Sequence, residues 1–149
     1  MTRAAIAHAV MAGAVAATLA ACTPATEPRA AAAPPDHQTE TLAPLFEQPL
    51  ADVPGKTFTS AIVTFPPGAR AMPHRHGDAF VYAYVLQGTV SSQLEGEPPH
   101  VYRQGENWSE QPGTHHLATE NTSRTEPAEL LVVFIATTGA QLKVDDPHT

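Results

Sequence analysis

The chain has one cysteine in 149 residues, so it cannot close an internal disulfide. Basic residues are also few: eight Lys and Arg against fifteen Asp and Glu leave a formal charge of −7. That deficit argues against nucleic acid or an anionic membrane surface as the main partner, because both attract basic patches. Beyond the N-terminal stretch no segment shows sustained period-3.6 patterning, which argues against long amphipathic helices. There is no Gly-x-Ser-x-Gly elbow and no phosphate-cradling glycine loop. Ser109 and Glu110 form no recognisable triad with His116. Hydroxyl-nucleophile and nucleotide chemistries are therefore not indicated.

What is present begins with a leader. MTRAAIAHAVMAGAVAATLAAC carries Arg3 near its start, then an alanine-rich, weakly hydrophobic run ending in small residues. That is the plan of a secretory signal peptide rather than a membrane span. Its end, Leu19-Ala20-Ala21-Cys22, resembles the lipobox of bacterial lipoproteins. The resemblance implies that Cys22, the only cysteine, is acylated and becomes the mature N-terminus, anchoring the protein to a membrane in the cell envelope. More than one acyl chain suffices for stable anchoring. Thr23 rather than aspartate follows Cys22, and in a diderm host the resemblance favours the outer membrane, periplasm-facing. TPATEPRAAAAPPDHQTE follows, too poor in large apolar residues to offset its ordering entropy, and reads as a tether. The expected organisation is a signal peptide over 1–21, a tether over 22–40 and one folded domain over 41–149.

The whole chain is 42% hydrophobic and carries fifteen prolines and nine glycines. From Thr57 it reads as short strands, each stopped by a turn. These are Thr57 to Phe65, Ala79 to Gly88, a hairpin around EGEPP, a short strand in GTHHLATEN, and a long apolar one from Ala128 to Thr138. Regularly spaced short strands indicate an all-β sandwich or barrel. Gly68, Gly88, Gly105 and Gly113 sit at the junctions, where a tight bend is expected.

One stretch, PHRHGDAFVYAYVLQG, carries chemistry. His74 and His76 stand two residues apart, so on a strand both side chains share a face, about 7 Å apart along the backbone. Two imidazoles at that spacing converge readily on one ion. Taken alone such a pair is weak, since most are exposed or hydrogen-bonded histidines. The wider pattern is more specific. Gly68-x5-His74-x-His76 with a strand ending in Gly88 resembles the first motif of the cupin superfamily. Gly105-x5-Gln111-x-Gly113-x2-His116, followed by Asn121, resembles its second. The resemblance spans Ala61 to Ile135. It implies a double-stranded β-helix, the cupin jelly-roll barrel, with His74, His76 and His116 in three ligand positions.

Two departures bear on the chemistry. The family's glutamate ligand would fall seven residues before Gly88, where this chain has Val81. The second motif's proline position holds Gln111, with Pro112 adjacent, and its asparagine position holds Glu120, with Asn121 one residue later. Three neutral imidazoles leave a divalent ion with its full charge and open positions. Fe, Zn, Mn, Ni and Cu all remain candidates, because imidazole does not select among most of them. Three-histidine cupins include oxygenases that bind an anionic substrate directly, so the resemblance implies a small-molecule ligand. Asp78 is the nearest carboxylate and is expected no closer than behind the ligands. Val81, Ala83 and Val85 share a strand face and would wall the pocket with apolar surface. Tyr82 and Tyr84 face the other way as packing residues, and Trp108 belongs to core or rim. His115 should point away from His116, to the surface or into packing, and His100 should be exposed. Cupin-like barrels often pair through edge strands, so a homodimer is expected on the resemblance. The rival readings are a non-enzymatic binding module and a barrel that has lost its metal.

Overall fold

The computed structural model describes residues 39–147, and over that range every element is a strand. Eleven follow in order: β1 (Thr41–Pro49), β2 (Lys56–Phe65), β3 (Arg70–Ala71), β4 (His74–Arg75), β5 (Phe80–Gln87), β6 (Thr89–Leu94), β7 (His100–Arg103), β8 (Asn107–Glu110), β9 (His115–Asn121), β10 (Ala128–Thr137) and β11 (Val144–Asp145). The expected all-β fold is the one observed. The leader, Cys22 and most of the stretch read as a tether lie outside the described residues.

Two antiparallel sheets pack face to face. One runs β1-β2-β10-β5-β8, the other β11-β4-β9-β6-β7 with β3 joined to β9. Period-2 alternation decides which side chains meet between them. On β10, Ala128, Leu130, Val132, Phe134 and Ala136 are buried while the residues between them are not. β5 reads as apolar on both faces but alternates in the same way: Val81, Ala83 and Val85 are buried, and Phe80, Tyr82, Tyr84 and Leu86 are half-buried on the outer face. Val63, Phe65, Val90 and Trp108 complete the core. Fully burying a side chain such as Phe65 or Phe134 contributes roughly 1.5–3 kcal/mol.

Three features escape the sequence pattern. β1 pairs with β2 from Thr41 opposite Thr64 to Pro49 opposite Thr57, with an irregularity between Pro44 and Phe46. It is an edge strand exposed along its whole length, so no inward face imposes alternation, and it tolerates proline as central strands do not. β3, β4 and β11 have two residues each, too short to show a period. The EGEPP hairpin forms as β6 and β7, Thr89 opposite Arg103, but the Asn-Trp that follows crosses to the other sheet as β8.

Asn121, not Glu120, occupies the structural position expected of an asparagine. Its Nδ2 donates to the carbonyls of Phe65, Pro66 and Glu126, and its Oδ1 accepts from the Ser123 amide. It is 1% exposed.

Candidate functional site

The β4–β9 ladder sets His74 opposite His116 and Arg75 opposite His115. His74 and His116 face inward and are buried, and His76 follows β4 on the same side. A turn holds it there, with the Ala79 amide donating to the His76 carbonyl at 3.0 Å. The two histidine-bearing loops are tied directly. The Gly113 amide donates to the Gly77 carbonyl at 2.8 Å, and the Arg75 guanidinium donates to the Gly113 carbonyl at 2.9 Å. One ring nitrogen from each of His74, His76 and His116 lies within 4.8 Å of the others.

Hydrogen bonds fix two of the rings. His74 Nδ1 donates to the Met72 carbonyl at 2.6 Å, and His76 Nδ1 donates to the Leu142 carbonyl at 2.5 Å. In a neutral imidazole one nitrogen donates and the other accepts. Each Nε2 therefore presents a lone pair, and the two face each other at 3.2 Å. Two lone pairs at that distance repel unless a cation lies between them. A proton is a poor candidate. Burial, the largest influence, pushes His74 down to about 4 and also lowers His76, against the pull of Glu110.

Glu110, set aside in the sequence, is 3% exposed and lies inside this cluster. Trp108 Nε1 donates to its Oε1 at 3.1 Å. Oε1 also lies 3.1 Å from His116 Nδ1, and Oε2 lies 3.7 Å from His76 Nε2. Among the described residues Glu110 Oε2 has no hydrogen-bond partner, and His116 Nδ1 has only its contact with Glu110 Oε1. His116 Nε2 meets the hydroxyls of Ser92 and Thr119 at 2.9 and 2.7 Å. Burial pushes the Glu110 carboxyl up, but the neighbouring His116 and His76 and the Trp108 indole outweigh it, holding it below the usual range. The sequence does carry a signal for it: Trp108 and Glu110 share a strand face by alternation, which sets a charge on the apolar side.

These groups line a cavity of about 120 Å3 between the sheets. Val81, Ala83, Phe65, Leu130, Val132 and Phe134 form its apolar wall. Val85 is buried in the core but does not line it. Glu40 and Lys143 line it too, ion-paired at 2.7 Å. Asp78 does not stand behind the histidines. Its carboxylate is exposed and takes Lys56 Nζ at 2.6 Å together with the Thr137 hydroxyl, because the turn after His76 aims it at the ends of β2 and β10. His115 points away from the cavity and donates to Asp146 at 2.8 Å. His100 is exposed and opens β7 rather than lying in the turn, its ring tilted against Tyr102. Tyr82 and Tyr84 lie on the outer face, and Trp108 is in the core.

With this geometry in view, the comparisons are consistent. The cupin domain family matches residues 61–134. No curated protein matches the chain. Among solved structures, an uncharacterized conserved protein with a double-stranded β-helix domain from Klebsiella pneumoniae superposes with a TM-score of 0.58. It is 16% identical, over 77% of this chain and 90% of that one. The cupin domain of Schizosaccharomyces pombe Cnp3 gives 0.55 at 18% identity, over 69% and 65%. Oxalate oxidase in complex with the substrate analogue glycolate gives 0.52 at 23%, over 66% and 54%. The chain thus spans less than two thirds of the length of the last two. At these identities the likeness shows the fold. Residues 61–134 match the cupin domain family, and the fold is that of a double-stranded β-helix.

Proposed function

We propose that this chain holds one divalent transition metal among His74, His76 and His116, and presents it to a small organic molecule in the apolar cavity. The observation that carries the reading is the pair of Nε2 lone pairs facing each other at 3.2 Å, each fixed by a carbonyl on the opposite nitrogen. Carbonyl bonds of that kind are how proteins orient metal-ligating histidines. Imidazoles each about 2.0–2.1 Å from a shared ion stand no more than about 4.2 Å apart, which this pair satisfies. Glu110 Oε2, buried beside the same rings with no hydrogen-bond partner among the described residues, supports the same reading. A bound metal would polarise a coordinated oxygen of the ligand. The chain's part is to orient the donors and, through Val81, Ala83, Leu130 and Val132, to keep water from the ion and admit a partly apolar ligand. An oxygenase-type reaction on a small substrate is the activity that suits such a site.

The test is metal content by plasma mass spectrometry on the untagged full chain beside His76→Ala. Close to one transition metal per wild-type chain, lost in the variant with its β-type circular dichroism intact, is the expected result. No metal after reconstitution with Fe(II), Zn, Mn, Ni and Cu would overturn the reading. Metal without turnover of any candidate substrate would leave a binding module.

The same proposal includes anchoring in the cell envelope through lipidated Cys22, which rests on the leader and on Leu19-Ala20-Ala21-Cys22. Labelled palmitate should enter the wild-type chain and not Cys22→Ser. Equal labelling would refute the anchor.

A further inference from the structure

The carboxylate that cupins of this pattern take from β5 is replaced here by Val81, and a valine cannot coordinate. Val81 is 1% exposed and faces the cavity. Its direct register partner on β8 is Glu110. Residues opposite each other in an antiparallel pair point to the same face, with Cβ atoms about 4.5–5.5 Å apart. A carboxylate at either position therefore enters the same volume between the sheets.

From this we infer that Glu110 is the fourth ligand of the metal site, a carboxylate moved one strand sideways while the site it serves stays in place. The inference rests on the proposal that His74, His76 and His116 hold a metal. Glu110 is prepared for the role by its surroundings. One oxygen is held by the Trp108 indole at 3.1 Å, which orients the group. The other is buried without a partner, 3.7 Å from His76 Nε2. A buried carboxylate oxygen left unsatisfied is costly, and coordination removes that cost. Among the described residues nothing else in the cavity does so: Lys143, the cation there, is bonded to Glu40 and Asp145. The consequence is a change of charge. Three imidazoles leave a divalent ion at +2, and Glu110 reduces the site to +1. That weakens its pull on an anionic ligand and strengthens retention of the ion.

The test uses the full chain loaded with Co(II), whose visible absorption reports the ligand set, and Zn affinity measured by chelator competition. Glu110→Gln keeps shape and removes charge. It should lower Zn affinity at least about tenfold and alter the Co(II) spectrum. The double variant Val81→Glu/Glu110→Val should restore affinity to within a fewfold of wild type, since the carboxylate returns from the opposite strand. Wild-type affinity and spectrum in Glu110→Gln, with metal lost in His76→Ala, would overturn the inference and leave the three-histidine reading standing. A folded double variant that fails to recover affinity would overturn the equivalence of the two positions on which the inference is built. No metal in the wild type would sink both readings together. Should Glu110→Gln not fold, Mn(II)-loaded wild type with 13C-labelled glutamate carboxylates decides. Electron–nuclear coupling to a carboxylate carbon supports the inference, and its absence overturns it.

Discussion

His74 and His116 are partners across the β4–β9 ladder, with ring centroids 5.0 Å apart. Two residues distant in sequence meet because one register aligns them, and the same register turns Arg75 and His115 outward together. A one-residue slip would exchange the two sets. The site is therefore a property of strand pairing more than of any loop.

That relationship separates the adjacent histidines. His115→Ala should leave metal stoichiometry unchanged, because His115 bonds Asp146 outside the cavity, whereas His116→Ala should empty the site. The cost to stability of His115→Ala should be no more than about 1 kcal/mol, as for a partly exposed hydrogen bond. Metal analysis and urea unfolding of the two variants side by side check both statements.

Gly88 closes β5 with φ of 79°, and a Cβ there would lie 2.9 Å from the Pro127 carbonyl oxygen and 3.0 Å from the Ala128 Cα. Gly113 has nearly the same φ, 81°, with open space around it. Gly113→Ala should cost about 1–2 kcal/mol, the penalty of a left-handed backbone. Gly88→Ala should cost clearly more, since backbone must also move. Equal unfolding midpoints for the two would show that β5 and β10 yield more easily than their close contact suggests.

Asn121 joins four backbone groups from three segments while fully buried. Asn121→Ala strands the buried Phe65 carbonyl and leaves the part-buried Pro66 and Glu126 carbonyls to water in part, at about 1–3 kcal/mol for a group left fully unsatisfied. We expect a loss of roughly 2–4 kcal/mol, read from denaturant unfolding, with the metal site intact once the variant is folded.

The long strands were legible because their inward residues repeat with period two and glycines mark their ends. β10 is the clearest case. β1 was not, since an exposed edge strand has no face to mark, and the two-residue strands carry no period at all. Of the site, His74, His76 and His116 could be picked out by the resemblance of their two motifs to the cupin pattern, and tertiary pairing brings them together. Glu110 could not be picked out by its motif position. Its importance lies in standing opposite Val81, and cross-strand register is not written in local sequence. Asp78 misled for the converse reason: nearness to His76 in the chain says nothing of direction once a turn intervenes.

Asp78 gives the last prediction. Hydrogen bonds from Lys56 and Thr137 hold its carboxyl at about 2, below the ordinary 3.8. A carboxyl depressed in the folded state binds its proton less readily there than in the unfolded chain. Its contribution is then present above the unfolded value and lost as pH falls through the folded one. The stability difference between wild type and Asp78→Asn should be constant above about pH 5, shrink between about pH 4 and 2, and vanish below. The carboxylate is exposed, so solvent screening keeps the difference small, and adding salt should reduce it further. Lys56→Met removes the main partner and should move the Asp78 titration back toward 3.8, followed by the NMR shift of its side-chain carboxyl carbon. An unmoved titration in Lys56→Met would mean that the Thr137 hydroxyl alone sustains the depression.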